Sequence, residues 1–144
     1  MLELLRKRRS VRRFSEKSVE PEKVDLLIEA LLRSPSSKGR NPWEFIVVTD
    51  PEKRAKLAEA KPKGGTFVVG APLAIVICAD PEKCDVWIED CSIAAIILQL
   101  AALDLGLGSC WSQIRSRSHA SGEASSDYLR QVLNLPEQYQ VQAI

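Results

Sequence analysis

Histidine is nearly absent from this chain: of its 144 residues only His119 carries an imidazole. Ser-His-Asp sets, Cys-His pairs and multi-histidine metal sites therefore have almost nothing to build on. Four cysteines, Cys78, Cys84, Cys91 and Cys110, are scattered without a CxxC pair. Zinc spacing is thus missing, no metal is expected, and reduced, buried thiols are the expectation. A secretory signal is missing too, because the N-terminus is charged and no apolar stretch follows it. The longest charge-free apolar run lies between Asp90 and Asp104, short of the roughly 20 residues that a bilayer requires. No GxGxxG fingerprint occurs; Gly106-Leu107-Gly108 follows no strand and reads as a helix stop with a tight turn. The expectation is a cytoplasmic protein with no membrane partner. If it is an enzyme, a cofactor carries the chemistry.

What remains is an ordinary globular composition, 45% hydrophobic and 27% charged, in a length that suits a single domain over residues 1–144. The excess sits at the start. Arg6-Lys7-Arg8-Arg9-Ser10-Val11-Arg12-Arg13 is cationic at six of eight positions, although the whole chain has a formal net charge of +1. Like charges packed together repel unless an anion is near, so such a block in a balanced chain needs a local reason. Arginines flanking a serine can converge on one phosphate through bidentate, charge-assisted hydrogen bonds. Taken alone, the block is first a solvated basic arm, or a loose patch for nucleic acid or anionic lipid. Apart from Phe14 no aromatic residue interleaves with the cations, so base stacking has little support and no nucleic-acid partner is expected.

In chain order, Leu2, Leu4 and Leu5 suggest a short helix running into the basic block. Pro21 suits the first turn of a second helix, whose apolar face is Val24, Leu27, Ile28, Leu31 and Leu32; it stops at Arg33, since Ser34 precedes Pro35. Residues 35–43 are turn chemistry feeding a strand from Phe45 to Thr49, with Trp43 as a core anchor. Asp50 and Pro51 open a helix to about Ala60. Lys61-Pro62-Lys63-Gly64-Gly65 breaks the pattern, and Leu73–Ala79 is a continuous apolar run that fits a central strand covered on both faces. From Trp87 to Leu105 the pattern is helical and apolar all round, which demands burial on every side. A subunit interface along this helix meets that demand, and the alternative is the central helix of a monomer. Residues 113–124 form a polar loop in which His119 is exposed rather than catalytic. An amphipathic helix through Tyr128, Leu129, Val132 and Leu133 follows, and Val141–Ile144 opens a strand.

Several stretches fall in a distinctive order. Arg8-Arg9-Ser10-Val11-Arg12-Arg13-Phe14 comes first, and Pro35-Ser36-Ser37 with Asn41-Pro42-Trp43 precedes a Phe-Ile-Val-Val strand. Ala71-Pro72 leads a strand ending Cys-Ala-Asp, a long apolar helix ends Leu-Gly-Leu-Gly-Ser-Cys-Trp, and a last helix ends Leu135-Pro136-Glu137. Each piece alone is weak. Together, across nearly the whole chain, they resemble the FMN-dependent nitroreductase family.

That resemblance implies an α+β fold: a nitroreductase-like three-layer α/β/α sandwich with a mixed, mostly antiparallel sheet, built as an intertwined homodimer with two FMN molecules at its interface. By the same resemblance Arg8, Ser10 and Arg12, with Arg9 between them, hold the flavin phosphate and ribityl chain. Pro35, Ser36 and Ser37 reach the flavin of the other subunit, with Asn41 nearby, and the backbone at Gln113 and Ile114 lies over the N5 edge. The implied activity is an FMN-dependent oxidoreductase that passes electrons from NADH or NADPH to nitroaromatics, quinones or similar acceptors by a ping-pong mechanism, with no side chain as catalytic acid or base. Other flavin chemistries on the same fold (dehalogenation, flavin destruction, dehydrogenation) stay open, as does a non-catalytic flavin- or anion-binding protein. The chain departs from the family pattern at Gly39, where an asparagine is common, and at Asn41, where a glutamine is. It also ends at Ile144, where members usually continue into a Gly-Tyr-Pro turn and a cation-bearing tail. On this reading the N-terminal cluster holds the phosphate nearly unaided.

Overall fold

The computed structural model describes residues 1–144. Three strands, β1 (Trp43–Val48), β2 (Ala74–Ala79) and β3 (Gln140–Ala143), form an antiparallel sheet in the order β1-β2-β3. Every residue of β2 is buried, as its unbroken apolar run requires of a strand between two others with both faces covered. Strand periodicity then sorts its side chains into two cores. Ala74, Val76 and Cys78 pack with Val48, Val141, Leu57, Leu129 and Ile114, whereas Ile75, Ile77 and Ala79 pack with Trp43, Leu27, Leu31, Cys91 and Ala94.

The helices follow from the same division. Helices α3 (Pro51–Glu59) and α5 (Ser125–Leu133) supply the first core; α2 (Pro21–Leu32) and α4 (Trp87–Asp104) supply the second. A six-residue helix α1 (Leu2–Lys7) precedes them and buries nothing. The result is a three-layer α/β/α sandwich, and the α+β expectation holds. Start signals behave as expected: Asp50 caps α3 by accepting the Lys53 N–H at 2.7 Å, and Pro21 and Pro51 occupy first turns. Full burial of a leucine such as Leu31 or Leu57 contributes about 1.5–3 kcal/mol.

Some elements differ from the sequence reading. The first strand starts at Trp43 and ends at Val48, with Thr49 outside it, because Trp43 pairs with Ala79 and is buried in the second core. A 3-10 turn at Thr66–Val68 was not expected; it is too short to leave a periodic signature. Helix α4 is apolar all round, yet within one chain Ile93 and Ile96 stay 39% and 40% exposed. The sheet itself is wholly antiparallel, and the one parallel pairing is an isolated bridge between Ser10 and Ser109. Around Gln142 the β2–β3 register shifts, and the Gln142 carbonyl accepts N–H groups from both Ile114 (3.2 Å) and Arg115 (3.1 Å). This ties the polar loop after the Ser-Cys-Trp stretch to the sheet.

Candidate functional site

The basic arm is fixed by one seam. The Val11 N–H donates to the Ser109 carbonyl at 2.9 Å, beside the Ser10–Ser109 bridge. Gly108 permits the approach, since a Cβ there would stand 3.0 Å from Val11. The four cations behave differently once the arm is fixed. Arg8 is half-buried, and its Nη1 reaches Gln99 Oε1 on α4 at 3.4 Å. Arg9 turns back and donates to the carbonyls of Arg6 (2.9 Å) and Arg8 (2.8 Å), covering the orphan carbonyls at the end of α1. Arg12 lies over the Phe67 ring at 6.0 Å from its centroid, in cation–π range. Arg13 points to a different place. It lines, with Val11, a cavity of about 430 Å³ that Arg8, Ser10 and Arg12 do not line. The partners of those three residues, Gln99, Phe67 and Ser109, do line it.

Lys61, which the sequence placed only in a loop break, is half-buried. Its Nζ donates to the Gln113 carbonyl at 3.0 Å. Burial, then the charge of Arg117, pushes its pKa below the ordinary 10.5, with Cys110 acting in the opposite sense. Gln113 is itself clamped: its Oε1 accepts from Trp111 Nε1 at 2.9 Å and its Nε2 donates to the Arg115 carbonyl at 2.8 Å. Ile114 turns inward and is 1% exposed in the first core, with its N–H already on Gln142. Of that pair only Gln113 presents polar groups beside Lys61. Lys61 and Phe67 are the neighbours that sequence reading missed; nothing local distinguishes a lysine in a Lys-Pro-Lys-Gly-Gly run as the one that folds inward.

The turn at residues 35–41 is a separate unit. Asn41 N–H donates to Ser36 Oγ at 2.9 Å, and Ser36 Oγ donates to Asn41 Oδ1 at 2.7 Å, closing a small ring. Lys38, Gly39 and Asn41 have φ of 53°, 66° and 47°, so Gly39 sits where a glycine is favoured. Pro35 is exposed and Ser37 half-buried, and the Ser37 N–H donates to Asp90 Oδ1 on α4 at 2.9 Å. Asp90 and Gln99 are nine residues apart on α4, which means about 13 Å along the axis and half a revolution around it. One chain thus ties Arg8 to Gln99, Ser10 to Ser109, Arg12 to Phe67 and Gln113 to Lys61, and holds the Ser37 turn at Asp90, half a revolution round α4 from Gln99.

The profile of the nitroreductase family matches residues 5–66 and 61–144. The chain belongs to the nitroreductase family. A relative from Archaeoglobus fulgidus, named as an NADH dehydrogenase/NAD(P)H nitroreductase, is 36% identical over 140 residues, covering 94% of this chain and 77% of its own. The structure of an FMN-dependent nitroreductase from Clostridium difficile R20291 superposes with a TM-score of 0.97 at 51% identity, covering 99% of this chain and 83% of that one. A nitroreductase from Desulfovibrio desulfuricans solved in complex with FMN superposes with a TM-score of 0.82 at 28% identity, covering 99% and 81%. The fold of this nitroreductase-family chain is the fold of those structures.

The donor set suits a phosphate-bearing group. No ion pair neutralises Arg8 or Arg12 within the chain, which leaves two guanidinium groups and the Ser10 hydroxyl available to an anion. Arginine forks match phosphate oxygens in pairs, and the aromatic faces of Phe67 and Trp111 are close by.

Proposed function

We propose that this protein is an FMN-dependent oxidoreductase that takes electrons from NADH or NADPH and delivers them to nitroaromatics, quinones or similar electron-poor acceptors in a ping-pong cycle. The observation that carries the reading is the unneutralised cradle of Arg8, Ser10 and Arg12, stitched to Ser109 in a nitroreductase-family chain. When bound, the flavin supplies the hydride and electron chemistry, for which a chain with a single histidine suffices. The protein's part is placement. Arg8 and Arg12 anchor the phosphate, Ser10 adds a hydroxyl donor, and Phe67 keeps Arg12 in position. Lys61 places a positive charge beside Gln113, and a fixed cation of that kind stabilises negative charge that develops nearby.

The separation of the Pro35-Ser36-Ser37 turn from the cradle supports a homodimer in which each turn serves the partner's site. Exposed Ile93 and Ile96 on α4 supply an apolar face for that association. No helix is long and apolar enough to cross a membrane, and a cytoplasmic location is proposed with the rest.

The test is the Arg12→Ala variant. Each charge-assisted hydrogen bond to the phosphate contributes about 1.5–3 kcal/mol, so losing one lowers FMN affinity roughly 10- to 150-fold. The wild type should stay yellow through dialysis and bleach with NADH or NADPH, while the variant loses its colour and keeps its circular dichroism. Full flavin retention by the variant would sink the assignment of the cradle. A yellow wild type that neither pyridine nucleotide bleaches would sink the catalytic part.

A further inference from the structure

Asp90 is 3% exposed, and no cation is paired with it. A buried carboxyl is costly unless its oxygens are hydrogen-bonded, and here both are. Oδ1 accepts the Ser37 N–H at 2.9 Å, and Oδ2 accepts the Cys84 Sγ–H at 3.3 Å. Cys84 is 1% exposed, so it cannot move away, and Asp90 sits in the first turns of α4, where negative charge is favoured by the helix dipole. The carboxyl is therefore held from two sides and can itself hold the turn. Ser37 begins the 3-10 segment whose next residues, Lys38 and Gly39, have positive φ. A segment in that conformation persists only where its surroundings over-determine it. Ser36 and Asn41 bond to each other, so the ring is tied to the body of the protein by the Ser37–Asp90 bond and by an exposed contact of Arg40 with Asp85 at 3.5 Å, of which the first alone is to a buried group.

We propose that Asp90 is a positioning residue for the flavin site. It sets the height and orientation of the Ser36-Ser37 turn over α4, and through that turn it acts on the site of the partner subunit. The proposal rests on the flavin reading above and on a turn that serves the partner's cradle. On this view α4 is the ruler between two sites. Gln99 steadies Arg8 of the chain's own cradle, and nine residues earlier, on the opposite face, Asp90 fixes what the chain contributes to its partner.

The experiment measures FMN stoichiometry in pure and mixed dimers. Asp90→Ala should weaken FMN binding about tenfold or more, since it leaves the Ser37 N–H without its buried acceptor. Asp90→Asn keeps an acceptor oxygen and should stay within about threefold of wild type. Amide exchange at Ser37 should accelerate in the alanine variant and not in the asparagine variant. Should Asp90→Ala fail to fold, Ser37→Pro deletes the same hydrogen bond from the donor side, because Ser36 is already extended at φ −136°, ψ 158°.

Mixed dimers pairing an Asp90→Ala (or Ser37→Pro) chain with an Arg12→Ala chain, isolated with two affinity tags, decide the direction of action. One of their two sites combines an intact cradle with an intact turn, so one FMN per dimer is expected to bind with wild-type affinity, although in each pure variant both sites are weakened. No FMN in the mixed dimer would overturn the proposal, because general damage to the Asp90→Ala subunit would spoil its own cradle as well. Wild-type FMN affinity in Asp90→Ala, with Arg12→Ala still empty, overturns this inference alone. FMN retention by Arg12→Ala instead strikes the underlying flavin reading.

Discussion

Replacing Gly108 with alanine would press on the seam that fixes the cradle. Gly108 has no positive φ, so alanine suits its backbone, and any effect must come from the added methyl. That methyl would lie 3.0 Å from Val11 Cβ and Cγ1 and 3.1 Å from Cγ2, whereas carbon contacts relax at about 3.5–4.0 Å. Val11 is β-branched and stiff at χ1, and its backbone is tethered to Ser109. The arm has to lift as a piece. Overpacking of this kind costs about 1–3 kcal/mol, and in a domain of this size each kcal/mol lowers Tm by about 2–4 °C. The expected outcome is a Tm lower by about 2–12 °C. FMN affinity should fall with it, because Ser10 and Arg12 move with Val11. Thermal unfolding and flavin titration measure both. Adding Val11→Ala removes two of the three crowded atoms and should recover part of each loss, a favourable coupling in a double-mutant cycle. Gly106→Ala is the control: with φ +76° and nothing within 4 Å, it strains the backbone by about 1–2 kcal/mol and leaves FMN binding intact. Unchanged Tm and affinity in Gly108→Ala would refute the seam as the anchor of the arm.

Further outcomes follow from other parts of the molecule. Burial, first, pushes the Cys78 and Cys91 thiols up to about 12, and Cys84 is 1% exposed. Alkylation of the native protein at pH 8, read by mass spectrometry, should therefore mark Cys110 first and reach the other three only after unfolding. Ser125 Oγ donates to the Ala60 carbonyl at 2.6 Å in a fully buried site; Ser125→Ala orphans that carbonyl and should cost about 1–3 kcal/mol in denaturant unfolding. Lys61 has a folded pKa below its unfolded 10.5, so the unfolded chain binds that proton more tightly. Stability should rise with pH from the folded pKa toward 10.5, and this rise should vanish in Lys61→Met when unfolding free energies are compared across that window.

Much of the fold was legible in the residues because it obeys local rules. Asp50 and Pro51 announced α3, the unbroken run ending in Cys78-Ala79 announced a doubly covered strand, and Leu27 with Leu31 marked the buried stripe of α2. The start of the first strand at Trp43 was not legible, because pairing with Ala79 rather than propensity draws the tryptophan in. The apolar pattern of α4 says that each face is covered somewhere, and a single chain leaves Ile93 and Ile96 partly exposed. For the site, the arginine–serine spacing marked the residues now proposed as the cradle. Neither Lys61 nor Asp90 carried a comparable mark.

By itself the sequence determined the helices and strands, the cationic arm and the near absence of histidine, since each depends on composition or on a period of a few residues. Only the tertiary structure decided which arginine faces where, which lysine folds inward and what holds the turn. Those outcomes rest on contacts between residues 91, 52 and 53 apart in the chain, Arg8 with Gln99, Lys61 with Gln113 and Ser37 with Asp90. No local period reaches across such separations; packing of the sheet and helices brings the partners together.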